Sequence, residues 1–146
     1  MMRWIRNIAA GFIGSAALNI LHEVVRKNFY NVPKINLVGA EAVNKTLAEY
    51  GRPIQNQNDL HKVTLELDLI ANASYYSLIG SSGKYIWPKA IAMGLSAGFG
   101  ALKLPEPLGL DPTPVDQTRQ KQVLTVGYYL FGALVTALAL KTILKP

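Results

Sequence analysis

The chain of 146 residues contains no cysteine. That excludes disulfide scaffolds, thiolate metal sites and cysteine nucleophiles in one step, and it leaves the redox compartment open. Charge is scarce too: 16% of residues are Asp, Glu, Lys or Arg. Ordinary soluble domains carry about 25%, so a disordered or strongly solvated chain is excluded. Acids are the scarcer sign, 9 against 15 Lys and Arg, for a formal charge of +6. The patterns GxxxxGK[ST] and HExxH and a GxGxxG after a strand are missing, so nucleotide binding and zinc-protease chemistry have no support. Lys and Arg are dispersed beside the ends of apolar segments rather than clustered. Anchoring on anionic lipid explains that placement more simply than nucleic acid does.

Half of the residues are apolar, yet the mean hydropathy is only +0.18. That is high for a cytosolic enzyme and low for a chain made only of spanning helices. The clearest apolar segment is Val123–Leu140, VLTVGYYLFGALVTALAL, uncharged between Lys121 and Lys141. Eighteen such residues reach the usual threshold for a spanning helix. Tyr128, Tyr129, Lys141 and Lys145 suit interfacial anchoring at its ends. A soluble core helix, apolar all round, needs cover on every side, and little other mass is present to supply it.

Three weaker segments accompany it: IAAGFIGSAALNIL at 8–21, LIANASYYSLIG at 69–80 and AIAMGLSAGFGAL at 90–102. Singly, runs of 10–14 residues suggest buried core; beside one strong span they read as further spans. Trp4 near the first segment, and Tyr85 and Trp87 before the third, are candidate interface anchors, and Pro88 suits a first helical turn. Arg3 and Arg6 followed by an apolar run resemble a signal peptide, but no small-x-small cleavage site ends the run. Retention as the first helix is therefore expected. Gly94 with Gly98, and Gly11 with Ser15, set small side chains four apart on one face, the spacing that lets helices approach closely in lipid.

The polar connections carry their own signals. Ala40, Val43, Leu47 and Tyr50 share one face of a helix predicted over 37–50, with Glu41, Lys45 and Glu49 opposite. The mixed charge on that face favours capping the bundle over lying on a membrane. Pro105, Pro107, Pro112 and Pro114 predict a stiff connection over 103–117, after which Asp116 or Thr118 can cap the last helix. The short connection after Gly80 makes the second and third helices a hairpin. An even number of spans then places both termini on one side. The termini and the 81–89 segment carry six Lys/Arg and no acid, which favours that side inside; the raw count of nine Lys/Arg in the longer connections favours the reverse.

Ionisable residues within spans are costly and face a partner, a cavity or an ion path. Asn19, His22 and Glu23 on the first helix form, with Glu66, Asp68, Asn72 and Tyr75 on the second, a candidate polar intramembrane cluster, in which Glu66 is turned roughly to the other side of its helix. If Asp68 is buried, its carboxylate binds a cation, pairs with Arg26 or His22, or stays protonated. Three readings compete: interhelical glue, a proton or ion relay, and a metal site. Glue is preferred. The metal reading is the weakest, because the E-x-x-H repeat of dimetal bundles is missing and His22 and Glu23 project about 100° apart on a helix.

The segments LHE at 21–23, ASYYSLIG at 73–80, LPEPLGLDPTP at 104–114 and LTVGYYLFGAL at 124–134 resemble short bacterial multi-pass membrane proteins without an assigned activity. That resemblance implies the bacterial inner (plasma) membrane and transfers no catalytic residue.

The sequence thus predicts an all-α fold, a single integral membrane domain over 1–146. It is a four-helix bundle with spans at roughly 4–25, 60–80, 86–103 and 119–143 and one extra amphipathic helix in the first connection. The expected function is that of a structural or accessory subunit of a larger membrane complex, without catalysis, metal or cofactor. The expected partners are the lipid bilayer and other membrane subunits or a second copy, and not nucleic acid. The alternatives are a proton- or ion-coupled carrier or channel, and a membrane-embedded lipid-binding protein or enzyme.

Overall fold

The computed structural model describes residues 2–145, leaving out the side chain of Ser82. Among the described residues the chain is all-helical: α1 Arg3–Asn28, α2 Ile35–Glu49, α3 Gln57–Ser77, α4 Ile86–Lys103, the single turn α5 Thr113–Asp116, and α6 Arg119–Lys141. A 3-10 segment, Leu78–Tyr85, joins α3 to α4.

Local chemistry sets these boundaries. The Asn56 side chain accepts hydrogen bonds from the N–H groups of Asn58 and Asp59 and so starts α3. Thr118 does the same for α6, accepting from Lys121 N–H at 3.2 Å. Gly83, with φ +55°, breaks the helical run ahead of α4. Pro88 falls in the first turn of α4, where its missing N–H leaves no hydrogen bond unmade.

The four long helices run alternately up and down. α1 packs against α3 and α6, and α6 packs against α4, while α3 and α4 barely touch along their lengths. Viewed down the axis, three sides of a square are closed and the α3/α4 side is open. Both described chain ends and the 3-10 segment lie at one end of the bundle, where Arg3 donates to the Ser81 carbonyl at 3.1 Å. α2, α5 and the proline-rich connection lie at the other.

Small residues close the three sides. A methyl group added to Gly14 meets Thr136 Oγ1 and the Gly132 carbonyl, and one on Gly11 meets the Ala73 carbonyl. The Gly94 and Gly98 faces approach the Cα atoms of Leu130 and Val126, at 2.8 and 2.7 Å from where a Cβ would stand. All four small-residue positions singled out in the sequence lie in these seams, Ser15 through a 2.9 Å hydrogen bond to the Leu69 carbonyl. The interior beside them holds Ala10, Tyr76, Ile79, Ala133, Ala137 and Leu140.

The predicted helix forms, starting two residues earlier, but turns another face to the bundle: Val38, Gly39 and Ala42 line the inner side, Tyr50 is its exposed C-cap, and Glu41 and Lys45 meet the proline-rich connection. Lys45 Nζ donates to the Leu108 carbonyl at 2.9 Å, Glu41 accepts from Asp111 N–H at 3.0 Å, and Lys34 N–H donates to the Pro114 carbonyl at 2.9 Å. α2 is therefore clamped to the proline-rich connection and laid across α3. That connection is irregular from Leu104 to Pro112, and α5 adds one helical turn within its C-terminal part, where Pro114 sits in the first turn.

One expectation is narrowed. Among the described residues, only α1 and α6 are both long and apolar enough to cross a membrane. At 1.5 Å per residue α3 and α4 reach about 31 and 27 Å, so length does not fail them. α3 carries Asp59, His61, Lys62, Glu66 and Asp68, while α4 has Lys89 and Lys103 inside its 18 residues.

Candidate functional site

Where α3 and α4 part, two cavities adjoin. The smaller, about 20 Å³, is polar and set among α1, α2 and α3; Asn19, His22, Asn36, His61, Thr64 and Asp68 are in its lining. It is large enough for a single water. Asn36 Oδ1 and Thr64 Oγ1 are buried without a protein partner, so the wall presents unused hydrogen-bonding groups. The larger cavity, about 450 Å³, occupies the open α3/α4 side. Its floor is Tyr129 of α6, one wall is Asp68, Asn72 and Tyr75, and the other is Ser96, Ala97, Gly100 and Ala101. α2 and the connection at Leu104–Leu110 close one end. Asp68, Asn72, Tyr129 and Ile35 line both spaces.

Asp68 is the residue the two spaces share that carries charge. Its side chain takes part in no hydrogen bond or ion pair among the described residues. Gly39 of α2 lets it lie against the crossing helix: a methyl there would stand 3.4 Å from Asp68 Oδ2. Tyr75 Oη donates to the Met93 carbonyl at 3.0 Å, one strut across the open side. Tyr76, fully buried, donates to the Tyr129 carbonyl at 2.7 Å and pins α3 to α6 just below the cavity floor.

His22 is buried, at 4% exposure, with its ring edge-on to Tyr128 at 5.8 Å between centroids. Its Nε2 accepts the Ile35 N–H at 3.2 Å, which satisfies the first turn of α2. Because Nε2 accepts, the ring proton sits on Nδ1, 3.8 Å from Glu23 Oε1. His22 thus serves as a backbone anchor for α2. Asn19 donates back to the Ser15 carbonyl and turns its remaining polarity to the small cavity.

Neither Arg26 nor Glu66 meets Asp68. Arg26 does not pair with Asp68; it grips Glu23 with two hydrogen bonds of 3.2 and 2.8 Å, three residues back on its own helix. Lys27 adds a 3.8 Å contact to the same carboxylate. Glu66 does not join the cluster at all and is exposed. Two residues on a helix are about 200° apart, so with Asp68 turned inward Glu66 must face out. Among the described residues, no group of three His, Asp or Glu is placed to hold a metal ion. Trp4, Tyr85 and Trp87 are all exposed at the end that carries the chain termini.

Tyr128 and Tyr129, read from the sequence as interfacial anchors, are instead interior: Tyr128 is buried against His22 and Tyr129 lines both cavities. Sequence reasoning did not mark the Ser96/Ala97/Gly100/Ala101 wall, which had a signal. Ala97 and Ala101 repeat the four-residue small spacing of Gly94 and Gly98 on a neighbouring face. Comparisons with protein-family models, with curated proteins and with solved structures found no match.

Proposed function

We propose that this chain is a four-span membrane protein, without catalysis of its own, that serves as a small structural or accessory subunit in the bacterial inner (plasma) membrane. The observation that carries this reading is the outward face of the bundle. Phe12 and Ile20 on α1, Ile70 on α3, Ile91 and Phe99 on α4, and Phe131 and Leu138 on α6 are all exposed. A soluble monomer rarely presents so continuous an apolar surface, whereas lipid or a neighbouring subunit covers it without cost.

Charge placement supports the same reading and gives it a direction. The end with both termini carries Arg3, Arg6, Lys84, Lys89, Lys141 and Lys145 and no acid. All nine acids belong to the rest of the chain, where they balance nine Lys and Arg, so the whole +6 resides at that one end. The positive-inside rule sets it in the cytoplasm. The carrier or channel reading has less behind it. Glu23 is engaged by Arg26 and Glu66 faces outward, so of the three acids such a path would use only Asp68 lines the larger cavity.

Alkaline carbonate extraction and blue-native electrophoresis from gently solubilised membranes test the two halves of this reading. Retention in the carbonate pellet and migration in a complex larger than one chain are expected. Release by carbonate overturns the four spans, and migration solely as a monomer overturns the subunit role.

A further inference from the structure

We propose that the open α3/α4 side is a binding site for a single-chain amphiphile with a cationic amine head, which Asp68 receives while the small-residue wall of α4 receives the chain. The cavity volume of about 450 Å³ falls within the ordinary range of ligand sites, about 300–1,000 Å³. Its composition is divided in the way such a ligand requires. Ala97, Gly100, Ala101 and Leu104 offer a smooth apolar track, and Asp68, Asn72 and the two tyrosines gather opposite.

Charge complementarity selects the head. Asp68 is the one charged group lining the larger cavity, and no basic side chain answers it there. An anionic head finds repulsion, and a neutral head leaves the carboxylate desolvated and unpaired, which is expensive. An ammonium group donates a charge-assisted hydrogen bond to Asp68, finds a second acceptor in the Asn72 side-chain carbonyl, and has the Tyr75 and Tyr129 rings in the same lining for cation–π contact. A bare metal ion is poorly served by one carboxylate. Of the other ionisable groups near Asp68, His22 holds the α2 backbone, Glu23 is held by Arg26, and His61 lies on the small-cavity side. None of them lines the larger cavity. Entry from the bilayer rests on the four-span reading; occupancy of the cavity does not, so the two can fail separately.

The test uses the full chain purified in dodecyl maltoside and a photoreactive dodecylamine carrying a diazirine on its chain, with adducts mapped by peptide mass spectrometry. Adducts are expected on α3 near Asp68–Tyr75 and on α4 between Ser96 and Leu104. Unlabelled dodecylamine should compete at about a tenfold lower concentration than dodecanol, the worth of one charged hydrogen bond. Asp68→Asn should erase that tenfold preference while leaving labelling by the chain in place. Ala101→Phe should reduce labelling for both heads by filling the track. The proposal is overturned if dodecanol competes as well as dodecylamine, if Asp68→Asn keeps the preference, or if adducts spread over the outward faces. Carbonate extraction reports on the spans independently of each of these results.

Discussion

The closed sides of the bundle and its open side are built from the same small residues, and they differ in what stands opposite. Along α4, the Gly94/Gly98 face meets the backbone of α6 at van der Waals distance, and the Ala97/Ala101 face meets a cavity. α1 and α3 close on each other through Gly11 and Ser15, whereas the α3 face turned to α4 carries Asp68, Asn72 and Tyr75. Small side chains permit close approach but do not compel it. A desolvated carboxylate opposite an alanine wall has nothing to gain from contact, and α2 with the proline-rich connection braces the gap at one end.

Substitutions on the two kinds of side should therefore behave oppositely. The largest effect belongs to Gly14→Leu, which drives a side chain into Thr136 and the Gly132 carbonyl. A loss of about 3 kcal/mol or more is expected, read as a collapse of the thermal transition and of the monodisperse peak in detergent. Recovery of native melting in that variant would mean the α1/α6 seam is looser than described. Tyr76→Phe comes next. It removes the 2.7 Å hydrogen bond to the Tyr129 carbonyl at a fully buried position, for about 1–2 kcal/mol, measurable as a lowered melting temperature with the helical signal intact.

Asp68→Asn should move the other way. Removing an unpartnered, desolvated charge should stabilise the apo protein by about 1 kcal/mol, and a melting temperature below that of the native chain would show that Asp68 has a structural partner after all. The smallest effect is reserved for Ala97→Leu. The cavity has room for the extra methylenes, so stability should change by no more than about 0.5 kcal/mol. A loss comparable to that of Gly14→Leu would close the open side and erase the contrast.

Much of the fold was legible because its signals are local. The apolar run at 123–140, the helix predicted over 37–50, the prolines at 105–114 and the Thr118 cap each depend on residues close in sequence, and each marks the element it predicted, though not the face that α2 turns inward. The site was legible only in part. Asp68, Asn72, Tyr75 and Asn19 were marked as polar residues in greasy segments, and the fold brings them to the two cavities. Glu66 was marked on the same grounds and faces outward, as its offset of about 200° from Asp68 on the same helix requires. His22 was marked for chemistry and spends its nitrogen on the Ile35 N–H, a long-range requirement no spacing reveals.

By itself the sequence determined the scarcity of charge, the lack of thiol chemistry, the number and order of the long helices, and the gathering of uncompensated Lys and Arg near one set of helix ends. These follow from composition, period and chain direction, which need no third dimension. Only the tertiary structure decided which small-residue faces meet, that Arg26 takes Glu23 and leaves Asp68 unpaired, and that one side of the square stays open. Those outcomes depend on helix rotation and on the clamp between α2 and the proline-rich connection, whose Lys34–Pro114 hydrogen bond joins residues eighty positions apart. The sequence supplied Asp68; the fold gave it a cavity to face.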